Sequence, residues 1–207
     1  MKKRKIIVFI LILASIVTFG ILITQIKKSK PPMKKERYHF SFEKGMDNWK
    51  VNGTDLDNPP VEWDITRTKE MATDGSASLK FYLANVNDAG KIWIERTFEL
   101  DPSKVYDIRV SYDFASADFG DLNLWRIITG VSPEPPLSDQ KTPLVFQGNT
   151  GNRANSDIGF KWLEKSYKFK TQTDAEGKIY VNIGIWGTWE TTRKYYFDNI
   201  LIEYKPT

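Results

Sequence analysis

Hydrophobic and polar residues alternate along most of the chain after residue 38, in short runs separated by glycine, asparagine, aspartate and proline. A period of two residues is typical of half-buried β-strands, and the spacing of an amphipathic helix is absent from this part of the chain. The pattern favours an all-β fold, an antiparallel β-sandwich or barrel, for residues 38–207. The predicted strands are 38–43, 47–52, 61–66, 77–84, 91–100, 105–115, 121–130, 143–147, 160–170, 178–187 and 194–204.

The alternation stops in the segment 131–157, which holds four of the ten prolines and many turn-forming residues. We expect a long surface loop that contains one short strand. Long loops in compact domains often carry binding residues, and the alternative is a tolerated surface insertion.

The N-terminal region has a different pattern, because residues 6–26 are 21 consecutive uncharged and mostly apolar residues. A helix of this length crosses the hydrocarbon core of a bilayer, which is about 30 Å thick. The sequence therefore predicts a transmembrane anchor at 6–26, between a basic N-terminus at 1–5 and a basic stalk at 27–37. A cleaved signal peptide is the alternative, but its apolar region is usually shorter and ends in small residues.

The basic residues are concentrated around this anchor. Ten of the 30 lysines and arginines lie in the first 37 positions, so that residues 38–207 carry 20 basic and 25 acidic residues. A domain with negative net charge repels phosphate, and we therefore expect no nucleic-acid partner. The lysines after the anchor favour a cytoplasmic domain, whereas the short basic N-terminus resembles an export signal. We expect a single-pass protein of the cell membrane with residues 38–207 outside the cytoplasm.

Two residue counts exclude several kinds of chemistry. The chain has no cysteine and one histidine, so it can form no disulfide, thiolate zinc site, cysteine nucleophile or multi-histidine metal site. No closely spaced group of carboxylates suggests the acid and base pair of a glycoside hydrolase. We therefore predict that the protein is not an enzyme.

Three short motifs resemble a known family. They are Phe42-Glu43-Lys44-Gly45 with Trp49 beyond it, the sequence DGSASLKF from Asp74, and the closing sequence YYFDNILIEY from Tyr195. They resemble the first, an early and the last strand of the galactose-binding-like jelly rolls, which include many carbohydrate-binding modules. The resemblance implies a jelly-roll sandwich, a non-catalytic module, and a polysaccharide or cell-surface glycan as partner.

The same resemblance implies a structural calcium ion that ties the first strand to the last. Ca²⁺ takes six to eight oxygen ligands and tolerates irregular geometry, so ligands from distant parts of the chain suit it. The matching positions are Glu43, the adjacent Gly45, the turn at Asp74, and Asp198.

The seven tryptophans are the best guide to a glycan site. An exposed indole stacks on the C–H surface of a sugar, while neighbouring amides and charged groups bind its hydroxyls. Alternation places Asn123 and Trp125 on one strand face, and Asn182 and Trp186 on another. We predict a ligand site formed by Trp125, Trp186, Asn123, Asn182, Arg109 and Asp113. The alternative function is a structural or protein-interaction ectodomain, in which these tryptophans are buried and an apolar patch lies elsewhere.

Overall fold

The computed structural model describes residues 36–117, 125–137, 142–151, 160–186 and 192–207. The predicted transmembrane segment at 6–26, its basic N-terminus and most of the stalk lie outside the described residues. Within the described ranges, no helix has both the length and the hydropathy that a membrane span requires.

The described residues form strands at the places where the alternation predicts them, and every predicted strand overlaps an observed one. The strands are β1 (Glu36–Phe40), β2 (Lys50–Thr54), β3 (Glu62–Thr68), β4 (Ser78–Ala84), β5 (Lys91–Glu99), β6 (Val105–Ala117), β7 (Arg126–Ser132), β8 (Phe146–Asn149), β9 (Phe160–Gln172), β10 (Lys178–Trp186) and β11 (Thr192–Pro206). The short strand predicted inside the segment 131–157 corresponds to β8.

Two antiparallel sheets make up the fold. The six-stranded sheet has the order β3-β4-β11-β6-β9, with β1 paired to the second half of β11, and the five-stranded sheet has the order β2-β5-β10-β7-β8. This arrangement confirms the predicted antiparallel β-sandwich. Among the described strands, consecutive strands stay in one sheet only for β3–β4 and β7–β8, so the chain passes from sheet to sheet at most connections.

The core lies between the sheets and is formed by the aliphatic and aromatic face of each alternating strand. Strand β10, for example, buries every second residue in this core. Trp49, which follows the first sequence motif, is also buried there. Each large apolar side chain removed from water stabilises the fold by about 1.5–3 kcal/mol. The core residues of β6 and β10 are Tyr106, Ile108, Val110, Tyr112, Phe114, Ile179, Val181, Ile183 and Ile185.

Candidate functional site

The predicted ligand residues do not form one site. Arg109 and Asp113 belong to β6 in the six-stranded sheet, whereas Asn182 and Trp186 belong to β10 in the five-stranded sheet. The prediction that these residues share a binding face is therefore wrong. Alternation assigns the two faces of a single strand, but it does not say which sheet the strand joins.

Trp125 is not an exposed platform, and this part of the prediction is also wrong. Its side chain is only 4% exposed, and the guanidinium of Arg193 lies 4.8 Å from the centre of its ring. Ile127 and Thr129, which a period of two places on the same strand face as Trp125, are buried as well. Asn123 lies outside the described residues.

The outer face of the five-stranded sheet carries Asn182 and Trp186, as the alternation predicts. Trp186 is half-buried, and the phenyl ring of Phe146 lies 5.4 Å from its ring. Asn182 is only 3% exposed, and its Oδ1 has no hydrogen-bond partner among the described residues. A Cβ atom at the neighbouring Gly130 would come within 3.0 Å of this oxygen, so glycine leaves the space that the amide occupies.

A second, smaller apolar cluster covers the middle of this face. It consists of Trp93, Ile128 and Leu144, with Trp186 packed against it. Leu144 comes from the segment predicted to be a surface loop, so part of that segment lies on the sheet and shields it from water. The large apolar side chains of this cluster pack against one another, so they are not all available to a ligand on this face.

An open cleft lies beside this cluster. It has a volume of about 400 Å³ and lies across the beginning of β2, the middle of β5 and the first part of β10. None of its lining residues belongs to the ligand site predicted from the sequence. The sequence feature that could have indicated the cleft is the polar face of β5, where Glu95 and Thr97 alternate with the buried Ile94 and Phe98. The lining residues are Asn48, Lys50, Glu95, Arg96, Thr97, Pro135 and Tyr180.

The polar groups of the cleft have unused hydrogen-bonding capacity. Oε2 of Glu95 accepts a hydrogen bond from the indole N–H of Trp93 at 3.0 Å, which orients the carboxylate. Its Oε1 has no hydrogen bond to another described residue. Lys50 lies opposite Glu95 in the strand register, and Tyr180 adds an aromatic ring. The cleft thus offers donors, an acceptor and a flat apolar surface to one ligand.

The residues predicted to bind calcium surround a turn at 73–77. Oε1 of Glu43 accepts hydrogen bonds from the backbone N–H groups of Ser76 and Ala77, both at 2.8 Å, and Oε2 accepts one from Ser76 Oγ at 2.9 Å. The hydrogen bonds from Ser76 lower the pKa of Glu43. Gly75 has a φ of +76°, and a Cβ atom there would come within 2.6 Å of the Glu43 carboxylate. Only glycine allows this approach. Gly45, from the same prediction, lies two residues after Glu43.

Asp198 holds the other side of the same turn. Its Oδ2 accepts hydrogen bonds from the backbone N–H groups of Thr73 at 2.7 Å and Asp74 at 2.9 Å, and its Oδ1 accepts one from Asn199 at 2.7 Å. Burial raises the pKa of Asp198, and these N–H donors oppose that increase. The Asp74 carboxylate lies 3.2 Å from Nε2 of His39.

Calcium therefore has a poor set of ligands at this turn, because N–H and hydroxyl donors use the carboxylate oxygens that it would need. No cluster of three or more acidic or histidine side chains in the described part of the chain could hold a metal ion. The residues, as arranged here, do not fit a calcium site. Calcium binding stays an untested prediction.

Comparison with known proteins gives structural matches only. No protein-family model and no curated protein matches the sequence. The K1 cleaved adhesin domain of Lys-gingipain from Porphyromonas gingivalis W83 is similar with a TM-score of 0.50 and 12% identity, over 83% of this chain and 99% of that one.

Two carbohydrate-binding modules are similar at a lower score. A CBM61 module in complex with β-1,4-galactotriose has a TM-score of 0.47 and 15% identity, over 78% of this chain and 92% of that one. The CBM22-1 xylan-binding domain of Xyn10C from Paenibacillus barcinonensis has a TM-score of 0.47 and 13% identity, over 85% and 97%. These similarities concern the fold alone.

Proposed function

We propose that this domain is a non-catalytic carbohydrate-binding module that holds a glycan in the cleft beside Tyr180. The observation that carries the proposal is the composition of the cleft, in which an aromatic ring lies among an oriented carboxylate, an ammonium group, an amide and a hydroxyl. Its volume of about 400 Å³ lies within the range of small-molecule sites. Tyr180 would stack on a sugar ring, and Glu95 would accept hydrogen bonds from its hydroxyls.

The cleft is the primary site in this proposal, and Trp186 is secondary. Tyr180 and Trp186 are six residues apart on one face of β10, which separates them by roughly 20 Å at about 3.3 Å per residue. The apolar cluster of Trp93 and Leu144 occupies the same face. A glycan that touched both aromatic rings would have to cross that cluster.

We also propose that residues 6–26 anchor the protein in the cell membrane, with the domain outside the cytoplasm. The support is the length of the uncharged run and the export-like N-terminus. External protease on intact cells tests this proposal. If the domain is cleaved only after lysis, while a known surface protein is digested in intact cells, the proposed orientation is wrong.

A glycan panel on the full-length chain in detergent micelles tests the binding proposal. Tyr180→Ala should abolish binding to any glycan that the wild-type protein retains. Tyr82→Ala is the matched control, because Tyr82 is a half-buried tyrosine in β4 of the other sheet. Equal binding by both variants, or no binding of any glycan by the wild-type protein, would contradict the proposal.

The second candidate function is a protein-interaction domain. Val145 and Phe146 are 41% and 37% exposed beside the half-buried Trp186, and together they form a small apolar surface. If the glycan panel is blank, Phe146→Asp should weaken the binding of a protein partner.

A further inference from the structure

A cavity of about 470 Å³ lies on the six-stranded sheet, where β9, β6 and β11 run side by side. It shares no lining residue with the cleft beside Tyr180. Its charged side chains point to the outer face, because Ile108 and Tyr204, which alternate with them along β6 and β11, belong to the core. The charged residues of the lining are Asp107, Arg109, Lys168, Glu203 and Lys205.

The strand register confirms that these charges share one face. Residues paired directly across antiparallel strands have their side chains on the same face of the sheet. Two adjacent rows of such pairs cross the cavity, and together they form a surface that we call the cationic patch. The first row is Lys168, Arg109, Glu203 and Arg37, and the second row is Lys170, Asp107 and Lys205.

The cationic patch has an excess of positive charge, because it contains five cationic side chains and two carboxylates. The excess is opposite in sign to the charge of the domain, since residues 38–207 carry 20 basic and 25 acidic residues. The side chains of Arg37, Lys168 and Lys170 make no hydrogen bond or ion pair with another described residue. The positive charge is therefore not neutralised within the described part of the chain.

The two ion pairs inside the patch are loose. Nη1 of Arg109 lies 3.9 Å from Oε2 of Glu203, and Nζ of Lys205 lies 3.5 Å from Oδ2 of Asp107. Both distances exceed the roughly 2.7–2.9 Å of a charge-assisted hydrogen bond. The side chains of Arg109 and Lys205 are 48% and 59% exposed, so their N–H groups are accessible to a ligand.

The patch has no aromatic platform. The two aromatic residues that line the cavity, Phe169 and Tyr204, pack against or belong to the core. Single-stranded nucleic acids bind largely by stacking their bases on aromatic rings, and neutral sugars also stack on them. A ligand of this surface is therefore recognised through its negative charge rather than through a flat apolar face.

The patch is too long for one small anion. Neighbouring strands lie about 4.8 Å apart, so the first row extends over roughly 14 Å from β9 to β1. The second row lies two residues further along each strand, at a distance of roughly 7 Å. A chain with a negative charge on most of its units would contact several of these cations at once.

We propose that the cationic patch is a second binding site, which takes an anionic polysaccharide with a charged group on most of its sugars. The site lies on the other sheet from the cleft beside Tyr180, so it goes beyond the proposed function and does not depend on it. The planar guanidinium of Arg109 pairs with the anionic groups, and Lys168 and Lys170 add point charges beside it. Asp107 opposes the ligand, because its carboxylate repels a negative charge.

Isothermal titration calorimetry on the full-length chain in detergent tests the proposal with three probes. They are decagalacturonate, its fully methyl-esterified form and digalacturonate. Decagalacturonate should bind more tightly than the other two, because the ester has no charge and the disaccharide contacts only part of the patch. The preference should shrink as the salt concentration rises from about 0.05 M to about 0.5 M, since salt screens the charge pairing. Tyr180→Ala should leave these affinities unchanged.

Variants assign the binding to the patch, because the basic N-terminal region is the same in all of them. The double variant Lys168→Gln/Lys170→Gln should raise the Kd for decagalacturonate about tenfold. The matched control is Lys69→Gln/Lys161→Gln, which removes the same charge from two exposed lysines outside the patch and should have little effect. Asp107→Asn should lower the Kd by about threefold. Tighter binding cannot result from a loss of folding.

The outcomes separate this inference from the proposed function. Equal Kd values for the two double variants overturn the site and leave glycan binding in the cleft in place. Digalacturonate that binds as tightly as decagalacturonate overturns the polymer as ligand. Tighter binding of phosphatidylglycerol vesicles or of a single-stranded DNA, lost in Lys168→Gln/Lys170→Gln, overturns the polysaccharide. A blank panel of neutral glycans contradicts the cleft proposal alone, provided that the double variant still weakens the binding of decagalacturonate.

Discussion

Trp125→Ala and Trp186→Ala should separate a core tryptophan from a surface tryptophan. Trp125 is 4% exposed, and Arg193 lies over its ring at 4.8 Å. Truncation of a buried tryptophan to alanine costs about 3–5 kcal/mol, because the lost apolar burial adds to the cavity that remains. The cation–π contact places the expected cost in the upper half of that range.

Trp186→Ala should cost less. Its side chain is half-buried on the outer face and packs on the cluster of Trp93 and Leu144. The substitution removes only part of a full burial, so we expect a loss of roughly 1–2 kcal/mol in the free energy of unfolding.

Thermal unfolding followed by circular dichroism measures both effects on the full-length chain. In a domain of this size, 1 kcal/mol shifts the Tm by about 2–4 °C. Trp125→Ala should therefore lower the Tm by about 8–20 °C, and Trp186→Ala by about 2–8 °C. An unchanged Tm in Trp125→Ala, with loss of glycan binding, would refute the assignment of this indole to the interior.

Three further predictions concern the turn at 73–77 and the cluster on the outer face. Calcium added to EDTA-treated protein should leave the Tm unchanged, because N–H and hydroxyl donors use the oxygens of Glu43 and Asp198. A rise of several degrees would instead support the calcium prediction. Lowering the pH should remove the stabilisation by Glu43, since its folded pKa lies below the ordinary value of 4.5. This contribution is present above pH 4.5 and is lost as the pH falls through the folded pKa. Glu43→Gln should therefore flatten the acid side of the profile of Tm against pH, and an unchanged slope would contradict this role. Leu144→Ala should cost about 2–4 kcal/mol in urea unfolding, since Leu144 covers Trp93; a loss below about 1 kcal/mol would mean that the segment does not pack on the sheet.

Local alternation was sufficient to predict the strands. Positions of β6 and β10 that alternate between aliphatic and polar residues occupy the inner and outer faces as predicted, because side chains of a strand point to opposite sides with a period of two. These properties depend on neighbours within one strand, and the sequence contains that information.

The site depended on contacts between distant parts of the chain, which only the tertiary structure decides. Trp125 and Trp186 look alike in the sequence, yet one is buried next to Arg193 and the other is half-buried on the outer face. The cleft joins the start of β2, the middle of β5 and Pro135, which are far apart in sequence. The pairing of strands and the path of the segment after β7 bring these groups together. Strand pairing depends on the energy of the whole packed sandwich, so no local pattern could have predicted the cleft.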